Sequence, residues 1–368
     1  PVFNLKINMS TNASKQYRLA VAGSTQYSLQ IAEQLTKDPA FNLLWVLTPP
    51  PKKIGRKQTL TINPLAQWAQ EKKISTVLVP DNLKNPQLKK QIRSQEVDIL
   101  LVVDFGYFIP DWLLAFPKIT TLNIHPSLLP RWRGSSPGQM ALLFQDFQRP
   151  WQDNIIGGKK SAVTLMTISK ELDAGNIIVQ KKFDIKADWI LTDYYQHAFQ
   201  LMNQSLAKNI KQFIDGELTA TAQSQPSPTP FAQSLNKTDA FVAWSQLKKL
   251  MTIIPEEKLK TLSDNKSSLS SQKEALLSQL LAGQGILGNY PLTILEQMQF
   301  VNNACRAFQP WPGLWTIVPT HKGEQRLKIL SCQIEKLASG QRLVLKKVQL
   351  AGKEPCQFKQ LKNLIKTD

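Results

Sequence analysis

Cysteine and histidine are scarce in this chain of 368 residues, with three of each. Cys305, Cys332 and Cys356 all fall late and form no Cys-x-x-Cys pair. That excludes a full disulfide framework and gives no zinc knuckle. Three reduced, mostly buried thiols are expected, as in a cytosol-like compartment. His125, His197 and His321 are too few for a His-rich site, and no metal is expected. No apolar run approaches the roughly 20 residues of a membrane-spanning helix, so no membrane partner is expected. The turn after the first strand, Ala22-Gly23-Ser-Thr, is not a GxGxxG, and there is no phosphate-binding loop, so neither a dinucleotide nor a nucleoside triphosphate is indicated. The first 32 residues hold no Asp or Glu but carry Lys6, Lys15 and Arg18. With no apolar segment and a single Arg, they fit a targeting remnant poorly. Residues 1–16 read as a flexible tail; Met9 serves equally well as the start, behind a leader.

Positive charge is abundant. Lys and Arg number 45 against 27 Asp and Glu, a net of +18. Such an excess suits nucleic acid, phosphates or an anionic membrane surface, and it equally suits a host whose proteins are all basic. With 42% hydrophobic residues the chain can bury a core, and its length suggests two domains.

The N-terminal half alternates strand and helix. Arg18–Gly23, Phe41–Leu47, Thr76–Val79, Asp98–Val103 and Thr121–His125 read as buried strands. Helical spacing marks Ser28–Lys37, Asn63–Lys73, Asn85–Gln95 and the short Trp112–Phe116. Strands at Ala162–Ile168 and Asn176–Ile185 follow, then one long helix over Asp193–Asp215. This pattern predicts a doubly wound, Rossmann-like α/β sheet over 17–221. Residues 222–235 are rich in Pro, Ser and Gln and read as an extended linker. Residues 236–368 form a second domain with an inserted segment around 250–292. Its strands at Leu314–Val318, Leu327–Glu335 and Arg342–Val348 suggest a small, OB-like β-barrel or a meander. From Phe300 onward, twelve basic residues stand against four acidic ones. A basic β module of this kind fits a tracker of nucleic-acid backbone, or merely a solvated basic face.

Chemistry concentrates in Leu122-Asn-Ile-His-Pro-Ser-Leu-Leu-Pro-Arg-Trp-Arg-Gly-Ser-Ser-Pro137. Asn123 and His125 lie two apart at a strand end, so they share a face at the carboxyl edge of the sheet, where open α/β folds bind ligands. Asn offers a neutral donor and His a proton carrier near neutral pH, a pair suited to acyl chemistry. From the residues alone, a histidine that caps the strand structurally is the favoured reading. Asp173, in Glu171-Leu-Asp-Ala-Gly-Asn-Ile177, is placed to orient the imidazole or act as base, or else to bond its own turn. The run Thr48-Pro-Pro-Pro-Lys-Lys-Ile-Gly-Arg-Lys57 carries four positive charges and no acid. It reads as a contact for a polyanionic substrate or as a solvated loop.

The Asn123-x-His-x-Ser-Leu-Leu-Pro signature resembles the formyltetrahydrofolate-dependent transferases. Leu172-Asp-Ala-Gly175 resembles that family's Leu-Asp-x-Gly turn, and Phe105-Gly-Tyr-Phe-Ile-Pro110 its Tyr-Gly-x-Ile-x-Pro loop. Gly55-Arg56-Lys57 and Arg306-Ala-Phe-Gln-Pro-Trp-Pro-Gly313 resemble the members that act on charged initiator tRNA. The resemblance spans about residues 17–365. It implies formyl transfer from 10-formyltetrahydrofolate to the α-amine of methionyl initiator tRNA, without a metal. Asn123, His125 and Asp173 would be catalytic. Phe105, Gly106, Tyr107, Phe108, Ile109 and Pro110, with Ser127, Leu128, Leu129 and Pro130, would bind the folate. Lys52, Lys53, Arg56, Lys57 and Arg306 would meet the tRNA. A monomer in the bacterial cytoplasm is expected, or alternatively in a mitochondrial or plastid matrix. Two other functions are weighed: formylation of a nucleotide-linked amino sugar, and nucleic-acid binding by a degenerate enzyme.

Overall fold

The computed structural model describes residues 16–366, apart from 56, 148–149, 152–153, 156, 262–292 and 362. Most of the expected tail, residues 262–292 of the expected insertion, and Arg56 lie outside the described residues. The chain divides into two compact units. One takes the residues up to Ile124 together with Ser205–Thr219; the other takes His125–Gln204 and Ala220 onward.

The first unit holds β1 (Tyr17–Gly23), α1 (Gln26–Leu35), β2 (Phe41–Thr48), β3 (Lys52–Ile54), β4 (Thr59–Thr61), α2 (Pro64–Glu71), β5 (Ser75–Leu78), α3 (Pro86–Arg93), β6 (Ile99–Val103), α4 (Asp111–Leu114) and β7 (Thr120–His125). Five strands run parallel in the order β5-β2-β1-β6-β7. Numbered among themselves they read 3-2-1-4-5, the doubly wound order, whose switch point lies beside the first strand. All five residues of β6 are buried, which explains its unbroken apolar run. Helix starts follow capping rules. The Asn63 side chain accepts from Ala66 N–H, and Asn85 accepts from Gln87 and Leu88 N–H, each with proline next in line. A Cβ on Gly23 would stand 2.6 Å from the Val103 carbonyl oxygen, so only glycine fits where β1 meets β6.

An ion pair ties the strand starts together. Arg18 Nη2 lies 2.8 Å from Asp98 Oδ1, and Asp98 Oδ2 accepts the Arg18 backbone N–H at 2.8 Å. The helix Leu206–Ile214 joins this unit through Lys211 Nζ on Asp38 Oδ2 at 2.8 Å.

The second unit holds α5 (Pro137–Phe144), the short pair β8 (Pro150–Trp151) and β9 (Asn154–Ile155), the antiparallel pair β10 (Lys160–Thr167) and β11 (Ile177–Asp184), and α6 (Leu191–Asn203). After α7 (Leu206–Ile214) come α8 (Trp244–Met251), α9 (Glu256–Thr261), α10 (Ile294–Ala307), β12 (Trp315–Thr320), β13 (Gly323–Leu337), β14 (Gly340–Leu350) and β15 (Cys356–Gln357). The last four form an antiparallel meander in chain order. Its core is continuous with α5 and α10, where Phe300 meets Phe144 and Phe147 edge-on at 5.6 and 5.7 Å.

Three expectations change. The long closing helix is two helices, because Ser205 leaves the helical region at φ −138 and ψ 11. The basic loop is a hairpin, β3 against β4, turning at Gly55 with φ +74. The Pro/Ser/Gln segment is extended but anchored: Gln223, Thr229 and Ala232 are buried. Cys305 is buried, while Cys332 and Cys356 are half-buried.

The Arg18 guanidinium holds the Asp98 carboxyl below the usual carboxylate range. Stability from a depressed carboxylate is present above its unfolded pKa of about 3.9 and is lost as pH falls through the lower folded value. Asp98→Asn is therefore expected to lower Tm at neutral pH and to match wild type near pH 2 (about). Thermal melts at both pH values check this; an equal deficit at both would remove the ion pair as its cause.

Candidate functional site

β7 ends at His125, and strand alternation puts Asn123 on the same face. Asn123 is half-buried; His125 is 5% exposed. His125 Nε2 lies 3.1 Å from the Trp132 carbonyl oxygen. A carbonyl only accepts, so Nε2 carries the proton and donates it. In the neutral ring Nδ1 is then the free base. Asp173 Oδ2 stands 3.7 Å from that nitrogen. This is too long for a direct hydrogen bond but close enough to stabilise the ring once it is charged.

Asp173 sits in the turn between β10 and β11 at φ +52, a region short polar residues tolerate. Its Oδ2 accepts the Gly134 N–H at 2.8 Å. Gly134 has φ +121, and a Cβ there would stand 2.5 Å from the Ala232 carbonyl oxygen. A Cβ on Gly175 would stand 1.8 Å from the Thr167 carbonyl oxygen. These glycines let the loop after β7 and the Asp173 turn close on their neighbours.

Arg133 lies beneath, 4% exposed. Its Nε donates to Gln223 Oε1 at 3.0 Å and its Nη1 to Gln225 Oε1 at 3.2 Å. Gln223 Nε2 donates to the carbonyls of Asp173 and Gly175 at 2.8 and 2.7 Å. Burial pushes the guanidinium pKa down, while the charges of Glu171 and Asp173 push it back up.

The loop after β7 is fully tied. The carbonyls of Pro126, Ser127, Leu128, Leu129 and Pro130 accept from Tyr194 Oη, Thr164 Oγ1, Arg131 N, Gln180 Nε2 and Ser227 Oγ respectively, at 2.8 to 3.0 Å. Ser127 Oγ itself donates to the Arg131 carbonyl at 2.8 Å. Burial raises the Tyr194 phenol's pKa, so it stays a donor. Leu129 is buried, while Leu128 and Pro130 are half-buried.

In the other unit, Phe105 and Ile109 are buried and Tyr107 packs on Phe105 with ring centres 5.0 Å apart. Gly106 and Phe108 are exposed and Pro110 is half-buried. Lys52, Lys53 and Lys57 are exposed on and beside the hairpin. Arg306 departs from its expected place on a nucleic-acid surface. Its Nη1 donates to the Trp189 carbonyl at 3.1 Å and its Nη2 to Asn303 Oδ1 at 2.8 Å. Asn303 in turn donates to the Leu143 carbonyl at 3.1 Å, so Arg306 braces α10 against α5. Among the described residues no group of three or more His, Cys, Asp or Glu is placed to hold a metal ion.

The sequence profile of the formyl transferase family matches residues 17–210. The chain belongs to the formyl transferase family. It is therefore a one-carbon group transferase. It is 29% identical over 229 residues to a methionyl-tRNA formyltransferase of Listeria innocua, covering 62% of this chain and 68% of that one. It is 27% identical, with the same coverage, to a methionyl-tRNA formyltransferase of Nitrosomonas eutropha. Among solved structures it shares its fold with an N-formyltransferase of Helicobacter canadensis in complex with folinic acid and dTDP-3-aminofucose. The TM-score is 0.52 and the identity 15%, over 88% of this chain and 89% of that one. A sugar 3N-formyl transferase in the presence of dTDP and 5-N-formyl-THF gives the same score and identity over 92% and 99%.

Sequence reasoning missed Gly134, Arg133 and Gln223. Gly134 carried a signal in the Arg-Gly pair after the histidine loop; Gln223 carried none, since it lies in a segment of linker composition.

Asn in place of Asp173 keeps an oxygen for Gly134 N–H and removes only the charge. Asp173→Asn is expected to lower kcat about 100-fold with KM within about threefold. Steady-state kinetics check this; a kcat within twofold of wild type would take Asp173 out of the chemistry.

Proposed function

We propose that this transferase moves the formyl group of 10-formyltetrahydrofolate to the α-amine of methionyl initiator tRNA. The observation that carries the tRNA reading is the exposed β3–β4 hairpin. Residues 49–62 hold Lys52, Lys53, Arg56 and Lys57 and no acid, so the local field favours a polyanion. The similarity to proteins named methionyl-tRNA formyltransferase, 27–29% over 229 residues, supports it. So do Lys322, Lys328, Lys336, Lys347, Lys353 and Lys359, all exposed on the C-terminal meander and its edge. We read that meander as an OB-like module that holds tRNA phosphates. Arg306 serves it as an internal brace rather than as a phosphate contact. The bacterial cytoplasm fits the bacterial relatives.

The donor supplies a formyl group on nitrogen. The chain's residues prepare for its transfer. The attacking amine must be neutral, and His125 Nδ1 is the base left free by the bond from Nε2 to Trp132. As it takes up a proton, the carboxylate of Asp173 at 3.7 Å stabilises the resulting cation. Asn123, on the same face of β7, donates from its amide to the formyl oxygen as negative charge develops there; the tetrahedral adduct then breaks the bond from the formyl carbon to the donor nitrogen, which takes the proton held on His125 and leaves as tetrahydrofolate. The apolar Leu128–Pro130 stretch is assigned to the pterin; it fits that role because every carbonyl from Pro126 to Pro130 is already bonded, so the loop holds one shape.

The test offers 10-formyltetrahydrofolate with charged methionyl initiator tRNA, with free methionine, and with a nucleotide-linked amino sugar. Formylation of the charged tRNA alone is expected. Asn123→Ala is expected to abolish turnover. Replacing Lys52, Lys53 and Lys57 together by Ala should raise KM for tRNA about tenfold and change kcat less than twofold. Formylation of the sugar, or an unchanged KM, would overturn the tRNA reading.

A further inference from the structure

Gln223 lies beyond the residues the family profile matches, in a segment with the composition of a linker. Its surroundings are not those of a linker. It is 8% exposed, and its chain segment is held by a two-way backbone bridge between Thr221 and Ile177, 2.8 Å in each direction. That bridge carries the Gln223 side chain over the turn that bears Asp173.

The amide of Gln223 has one orientation only. Arg133 offers hydrogens and accepts none, so the atom 3.0 Å from its Nε must be the amide oxygen. The carbonyls of Asp173 and Gly175 accept and cannot donate, so the atom 2.8 and 2.7 Å from them must be the amide nitrogen. A flipped amide would set nitrogen against N–H and oxygen against two carbonyls, turning three attractions into three repulsions. Arg133 thus orients Gln223, and Gln223 grips the backbone of the turn on both sides of Ala174. Gly134 grips the same turn by its carboxylate at 2.8 Å. A residue with a β-carbon at φ +52 keeps that conformation where its surroundings fix it, and here two clamps do so.

We infer that Gln223, oriented by Arg133, is a positioning residue for formyl transfer: it fixes the Asp173 turn so that the carboxylate stands beside His125 Nδ1. The inference rests on the proton-handling role proposed above for His125 and Asp173. Neither Gln223 nor Arg133 is required to touch substrate. Their part is to hold the distance between two groups that do the chemistry, where a shift of about 1 Å costs up to about 100-fold in rate.

Two variants test it. Gln223→Leu removes the donors to the turn and the acceptor for Arg133. Gln223→Glu restores an acceptor for Arg133 but offers no N–H to the two carbonyls. Three quantities are read: kcat and KM for formyl transfer, the exchange rate of the Gly134 amide hydrogen by NMR, and thermal melting. Both variants are expected to lose at least about tenfold in kcat with each KM within about twofold, and to exchange the Gly134 amide at least about tenfold faster. If Gln223→Leu does not fold, Gln223→Glu decides by the same readouts. Wild-type kcat in Gln223→Glu would mean that the glutamine only satisfies Arg133, and would overturn the inference. Unchanged Gly134 exchange in either folded variant would overturn it too. The two levels stay separable. A fast Asp173→Asn sinks the proton-handling reading, whereas a slow Asp173→Asn beside fast Gln223 variants sinks only the positioning role.

Discussion

A single carbonyl governs the chemistry available at the end of β7. The Trp132 oxygen, 3.1 Å from His125 Nε2, commits that nitrogen to donating and leaves Nδ1 as the base. Everything nearby serves that assignment. Trp132 N–H is itself held by Thr229 Oγ1 at 2.7 Å, so the carbonyl belongs to a fixed peptide segment. Arg133 next to it runs to Gln223, and Gly134 after that holds the Asp173 carboxylate. Three successive residues therefore set the tautomer of the histidine, the backbone of the acid's turn and the position of the acid's charge. Apart from His125 at the end of β7, these contacts come from loops and turns, whose rigidity rests on buried hydrogen bonds.

The N-terminal sheet was legible because its strands are buried on both faces and so read as continuous apolar runs, as at Ile99–Val103. Asn63-Pro64 and Asn85-Pro86 announced helix starts by their caps. Other features were hidden for definable reasons. The hairpin at Lys52–Thr61 has no buried face, so no hydrophobic alternation marked it. The break between α6 and α7 lies at Gln204-Ser205, inside a run whose apolar spacing continues across it; only the backbone at Ser205 departs.

The site shows the same division. Asn123, His125 and Asp173 were singled out by local patterns, strand parity and an acid in a glycine turn, and Asp173 does stand 3.7 Å from His125. Their partners were not. Gln223 is separated from Asp173 by 50 residues and joins it by side-chain hydrogen bonds, which leave no periodicity. Arg306 illustrates the opposite error. Its charge in a basic region pointed outward, whereas Trp189 and Asn303 turn it inward. Charge counts over a region forecast the field at its surface, not the fate of one side chain.

The most direct test of the account is the protonation state of the His125 ring, read by nitrogen-15 NMR of the imidazole in the free enzyme across its pH range. The account predicts that in the neutral ring Nε2 carries the proton and Nδ1 carries none. A neutral ring protonated at Nδ1 instead would contradict it, because the nitrogen facing Asp173 could then not accept a proton from the amine.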